Sequence, residues 1–225
     1  KKEVWFQVMA NGNSSSQENY KEVELSVQYR PAPHVTVSIS PSYEIGFNAL
    51  QYVNVFDDAA ATATYGHRYV FGELDQKTFG AGFRLNWTFT PKLSLQFYAQ
   101  PLISSGSYKN FKELSRPKSD EYLVYGKNNS TISKSESGYT VDADGYGAGA
   151  PMTFSDPNFN FKSLRGNAVL RWEYLPGSAL YFVWTQTRSD EEKIGDFQFN
   201  HFISRVLDST PDNIFLVKFS YWFTM

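Results

Sequence analysis

An all-β chain, antiparallel throughout and two-faced strand by strand, is predicted by the 225 residues on three observations. The first is alternation. Residues 79–89, "FGAGFRLNWTF", set Phe79, Ala81, Phe83, Leu85, Trp87 and Phe89 against Gly80, Gly82, Arg84, Asn86 and Thr88, and after "TPK" the segment "LSLQFYAQP" (93–101) resumes the pattern with Leu93, Leu95 and Phe97. Successive side chains of a strand point to opposite faces, so a period of 2 means two different surroundings. The second is the spacing of connections: short Pro-containing turns at 31–33, 90–92 and 175–178 alternate with long connections at 48–77, 102–162 and 188–213. The third is an aromatic content of 17%, from 19 Phe, 15 Tyr and 5 Trp, more than an ordinary soluble core needs and suited to interfacial girdles. Short turns at one end, long loops at the other and an aromatic apolar face together predict an antiparallel transmembrane β-barrel. Lipid then meets the apolar side and a polar lumen the other.

The elements follow in order. "VWFQVMA" (4–10) makes a first strand with poorly distinguished faces, and "VELSVQY" (23–29) a second with Val23, Leu25, Val27 and Tyr29 on one side. "VTVSISPSYEIGF" (35–47) continues the alternation, except that Pro41 falls on the apolar register and requires a bulge or a locally unpaired position. The pair 79–89 and 93–101 comes next. "LRGNAVLRWEY" (164–174) and "ALYFVWTQT" (179–187), joined by "LPGS", carry Leu170, Trp172, Leu180, Phe182 and Trp184 on the lipid side. The last strand, within "NIFLVKFSYWFTM", lines up Phe215, Val217, Phe219, Tyr221 and Phe223. That makes about eight strands, one domain, with the short turns and both termini periplasmic. Trp87 and Trp172 stand just before short turns, as an aromatic belt at one interface requires, while Trp222 lies on the register opposite Phe223.

Composition narrows the function classes. No run approaches the roughly 20 apolar residues of a membrane helix. Mean hydropathy is −0.43, which a barrel tolerates because every second residue is polar. Cysteine is absent and the net charge is −2, so neither a thiolate metal site nor an electrostatic footprint for nucleic acid is present. The histidines His34, His67 and His201 have no ligand-like spacing.

Several blocks also look familiar. "YVFGELDQKTF", "FTPKLSLQFYAQP", "SGSYKNFKEL", "SLRGNAVLRWEYLPGSALYFVWTQ" and "DNIFLVKFSYWF" resemble, over roughly 69–223, the C-terminal region of a Gram-negative family of unknown function. In that family a module like carbohydrate-binding family 9 precedes a large outer-membrane barrel. The resemblance implies that these strands are the C-terminal part of a larger barrel in the bacterial outer membrane, and no sugar-binding residue carries over, because the module is not in this sequence. The terminal aromatic strand resembles the signal by which the barrel-assembly machinery recognises its clients.

Candidate chemistry is sparse. The inward register supplies Glu22, Glu24, Glu44 and Glu173 with Arg84, Arg165, Arg171 and Lys218, either a selectivity lining or, more simply, a self-neutralising network that fills the interior. In "VDADGYGAG", Asp142 and Asp144 before Gly145 are part of a calcium-loop pattern but lack its third ligand and distal Glu, so a flexible external loop is the better reading. Tyr122, Tyr125, Tyr139 and Tyr146 offer faces for sugar rings, with local packing the plainer expectation. "SDEEK" (189–193) reads as a solvated loop tip, and Glu73 with Asp75 as a carboxylate pair without a cleft. No nucleophile elbow, phosphate loop or zinc motif occurs, so neither an enzyme nor a cofactor is expected, save for glycan hydrolysis associated with the family's absent module. The expected function is a channel or a membrane anchor, with outer-membrane lipid and lipopolysaccharide, the assembly machinery and glycans as partners. A soluble β-sandwich or lipocalin-like binding protein and a structural subunit of a secretion or uptake assembly are the rivals.

Overall fold

The computed structural model describes residues 2–200 and 202–223. Its strands are β1 (Glu3–Ser14), β2 (Glu18–Ala32), β3 (Val35–Asp57), β4 (His67–Thr90), β5 (Leu93–Leu114), β6 (Tyr122–Val124), β7 (Thr131–Ser135), β8 (Gly138–Asp142), β9 (Met152–Phe154), β10 (Phe159–Leu175), β11 (Ser178–Glu192) and β12 (Asp212–Ser220). A short helix, α1 (Phe202–Asp208), precedes the last strand. The main sheet runs β1-β2-β3-β4-β5-β10-β11-β12, each neighbour antiparallel, and β6 extends it beside the end of β5. Among the described residues β1 and β12 each pair on one side only, so the sheet is open rather than a closed barrel.

Register explains the alternation. One row across the sheet is Val4, Tyr29, Val37, Leu85, Phe97, Ala168, Trp184 and Phe215, apolar or aromatic on all eight strands. The next row, one residue along and on the opposite face, is Trp5, Gln28, Ser38, Arg84, Tyr98, Asn167, Thr185 and Ile214. A slip of one residue between any two strands would mix the faces, so the pattern itself fixes the register. Pro41 stands opposite Ala81 on β4, while on the β2 side the pairing passes from Glu24–Ser42 to Val27–Ile39 and leaves Pro41 out. Its missing N–H is thereby placed where no ladder bond is needed.

The long connections are more ordered than the sequence suggests. β3 continues to Asp57 and β4 begins at His67, so most of 48–77 is a projecting hairpin rather than a loop. Register shifts at Asn48/Gln51 and Tyr52/Asn54, and again at Phe71/Glu73 against β5, move residues from one face to the other. Bulges of that kind erase a period-2 signal without ending the strand.

The buried core sits in this projection. Val70, Phe111, Tyr125, Val141, Met152 and Phe154 cluster there, with Phe56, Ile132 and Tyr139 packed around them. β7, β8 and β9 form a separate three-stranded sheet that supplies half of that core. The segment expected to be a flexible external loop is therefore folded against the ends of β3 to β5. Its Gly, Ser and Asn content hid the few apolar residues that hold it: Ile132, Val141, Met152 and Phe154.

Candidate functional site

The polar face is the chemically varied surface. Alternation on β2 puts Glu22 and Glu24 there, β3 adds Glu44, β4 adds Arg84, β10 adds Arg165, Arg171 and Glu173, and β12 adds Lys218. These eight share one face, but they do not neutralise one another. The only ion pair among them joins Arg171 to Glu173 at 2.8 Å. Glu22 lies directly opposite Glu44, acid against acid. Arg84 instead lays its guanidinium over the Tyr98 ring, 4.8 Å from the centroid, and Lys218 lies 5.6 Å from the Tyr181 ring centroid. Acids thus gather on β2 and β3 and bases on β4, β10 and β12, with Glu173 the one exception.

Between these wings lies a recess of about 380 Å³ bordered by Glu24, Ser40, Thr78, Arg84, Tyr98 and Gln100. Gly80 and Gly82 make its floor, because successive polar-face positions of β4 carry no side chain. A Cβ on Gly82 would meet only Tyr98 Cε2, at 3.9 Å, so the floor is open space. On the acidic side, Ser26 Oγ donates to Glu24 Oε1 at 3.2 Å and lies 3.0 Å from Ser40 Oγ.

The opposite face carries Phe79, Phe83, Leu85, Trp87 and Phe89 on β4, Leu93, Leu95 and Phe97 on β5, Leu170 and Trp172 on β10, and Leu180, Phe182 and Trp184 on β11. From Phe79 to Phe89 the band runs about 34 Å along the strand, or about 26 Å in height at a tilt of ~40°. From the Phe79 row upward this face is covered. The chain after β11 returns across it, setting Phe197 edge-on to Tyr43 at 5.8 Å and Phe199 edge-on to Phe79 at 5.2 Å. Beneath it Lys162 is wholly buried and pairs with Glu192 at 2.7 Å, while Arg205 of α1 reaches Asp190 at 2.7 Å and Glu192 at 3.3 Å. "SDEEK" is accordingly the end of β11 and part of an ion-pair network rather than a free loop tip. No period in 188–213 announces this strap; the contacts are between residues far apart in sequence.

The last strand ends at Ser220. Phe215, Val217 and Phe219 lie in β12, whereas Tyr221 and Phe223 lie beyond it, their rings 6.0 Å apart. The Trp222 amide donates to Ser178 Oγ at 2.9 Å, which turns the chain over the β10–β11 hairpin instead of continuing the ladder. Thr224 and Met225 lie outside the described residues, as does His201.

The projecting end holds a buried charge cluster that sequence reasoning missed. Arg68 bridges Asp58 at 2.5 Å and Glu113 at 2.6 Å, and the Tyr125 hydroxyl donates to Glu113 at 3.0 Å. The hydrogen bond from Arg68 holds the Asp58 carboxyl below its ordinary value. For Arg68, burial works against the charge, but the bonds to Asp58 and Glu113 outweigh it and its pKa is raised. Burial, reinforced by the Glu113 charge, pushes the Tyr125 hydroxyl far up, so it stays a donor. Tyr122 packs edge-on to Phe71 at 5.8 Å and Tyr139 stacks on Phe154 at 5.4 Å, which leaves Tyr146 as the exposed member of the four loop tyrosines.

Asp142 and Asp144 serve the backbone, accepting from the Gly145 and Gly149 amides at 2.8 and 2.9 Å, and no group of three acidic or histidine side chains able to hold a metal ion occurs among the described residues. Glu73 accepts from Asn110 and Lys112, and Asp75 from Lys109, so this carboxylate pair is engaged in cross-strand contacts. His67 pairs with Asp57 at 2.9 Å.

A family model described as "Domain of unknown function (DUF5916)" matches residues 1–224. The chain belongs to that family. No curated protein and no solved structure matches it. In this DUF5916 domain, then, the two faces of the open sheet and the projecting end are the features from which function has to be argued.

Proposed function

We propose that this chain is part of the wall of a bacterial outer-membrane β-barrel, its polar face lining an aqueous passage for small solutes. One observation carries the reading: an apolar band that crosses all eight strands without interruption and, below the Phe79 row, is left uncovered. Val4 at one edge is 66% exposed and Phe215 at the other 75%, with Ile39, Trp87, Trp172 and Phe182 exposed between them. A soluble protein rarely leaves an apolar surface of that extent to water. A band about 26 Å high also agrees with the roughly 25 Å belt of known outer-membrane barrels. Orientation follows the turn lengths, with the tight β2–β3, β4–β5 and β10–β11 turns periplasmic and the projecting core outside.

The polar face suits a passage better than a packed interior, because its charges stand apart and glycines leave a recess. A soluble sandwich would need a second layer over the apolar face, and below the Phe79 row the described residues supply none. The test is purification of the full-length protein with and without detergent. A membrane barrel stays monodisperse only in detergent or lipid, migrates differently when heated in gels, and lets small solutes leave loaded vesicles. A monodisperse protein in plain buffer, with the Phe83 face protected there, refutes the reading.

A further inference from the structure

We infer that Arg84 and Arg165 together form a binding site for the oxyanion group, carboxylate or phosphate, of a small solute. The inference rests on the lumen reading for its biology but not for its chemistry. Arg84 on β4 stands opposite Tyr98, and Arg165 on β10 stands opposite Gln100, two residues further along β5. Strand spacing puts their Cα atoms about 12 Å apart on one face, a gap that two arginine side chains close around a single anion. Neither arginine makes an ion pair or hydrogen bond among the described residues. By contrast Arg68, Arg116, Arg171, Arg188 and Arg205 all do.

Their neighbourhood keeps them unneutralised. On this face the rows from Thr78–Ser104 to Asn86–Gln96 place no carboxylate on β4 or β5; Glu24 is two strands from Arg84 beyond the glycine floor, and Asp212, level with Arg165, is two strands from it across Thr187 and makes no ion pair with it. The Arg84 guanidinium is held over the Tyr98 ring, 4.8 Å from its centroid, a contact that uses none of its N–H donors and leaves them free for an oxyanion. The recess beside it gives the rest of the solute room, with Gln100 and Ser40 as polar contacts.

The experiment is calorimetric titration of the detergent-solubilised full-length protein with succinate, inorganic phosphate and, as the cationic control, putrescine. Saturable binding of at least one of the two anions and none of putrescine is expected. Arg84→Gln and Arg165→Gln should each weaken the anion about tenfold, the loss of one charge-assisted contact. Arg84→Lys should weaken it less, and Gly82→Leu should block a bulky dicarboxylate while sparing phosphate, without touching either arginine. Lys77→Gln, on the opposite face, should change nothing. Preference between succinate and phosphate identifies the group. Binding that survives both glutamine variants, or no binding of either anion to correctly folded protein, overturns the site. Monodispersity without detergent would overturn the membrane reading instead, and the same titration would then be read in buffer.

Discussion

Replacing Phe83 with arginine is the most direct probe of the two-faced sheet. Phe83 sits near the middle of the band, between Ile39 on β3 and Ala99 on β5, and its ring meets Phe97 edge-on at 6.0 Å. On the proposed membrane reading, an arginine there points its charge into hydrocarbon, which costs about 2–4 kcal/mol at a bilayer midplane. Loss of the aromatic pair adds about 0.5–1.5 kcal/mol. The two together lower the folding equilibrium constant by roughly two to four powers of ten at about 1.4 kcal/mol per decade. Asn86→Arg is the matched control: it lies three residues along, opposite Thr36 and Gln96 on the polar face, where the same charge meets water. Guanidinium unfolding of the full-length protein in lipid vesicles, followed by tryptophan fluorescence, reads both. Phe83→Arg should shift the midpoint strongly and Asn86→Arg by less than about a quarter as much. Equal shifts, or a tolerated Phe83→Arg, would falsify the assignment of this face to lipid.

Four further outcomes are expected. Cysteine at Ser135, in the β7–β8 hairpin, should react with a membrane-impermeant reagent on intact cells, while cysteine at Lys92, in the β4–β5 turn, should not; the reverse pattern inverts the proposed orientation. Arg68→Met leaves the Glu113 and Asp58 carboxylates without their counter-charge and should cost about 3–5 kcal/mol, seen as new proteolytic cleavage between 115 and 158 while the sheet itself stays protected. Because Asp58 has its pKa lowered in the folded state, its contribution is complete above the ordinary carboxyl value and is lost as pH falls through the lowered one. Cleavage of wild-type protein in that segment should therefore rise only in acid. Gly106→Ala brings a Cβ to 2.2 Å from Phe159 Cε1 and 2.9 Å from Leu74 Cδ1, and should cost about 1–3 kcal/mol by calorimetry.

The sheet was legible in the sequence because its faces differ. Wherever one face is apolar and the other polar, as in Phe79–Phe89 or Leu164–Tyr174, a period of 2 survives and places every strand. Above that height both sides of β3, β4 and β5 meet water or folded protein, the bulges at Asn48 and Phe71 shift the phase, and the pattern dissolves although the strands continue. The inward charges could be assigned to one face from alternation alone. That they stay apart could not, because pairing across strands depends on register, and register spans tens of residues. Arg68, Glu113 and Tyr125 show the same limit: each is an ordinary polar residue in its local sequence, and only the fold makes a buried triad of them.

The strap between β11 and β12 bears on where such a wall would part under load. It crosses the outer side of β10, β5 and β4 to reach Tyr43 on β3, and the Lys162–Glu192–Arg205 links rivet it from below. Strands β3 to β11 are thus cross-tied at their outer end by something other than the ladder of backbone bonds between them. Separating any two of them there requires the strap to let go as well. β1 and β2 lie outside this tie, as does the free edge of β12. Lateral strain on the sheet therefore falls on the β2–β3 seam and on the two margins, β1 and β12, each of which has a single neighbour among the described residues.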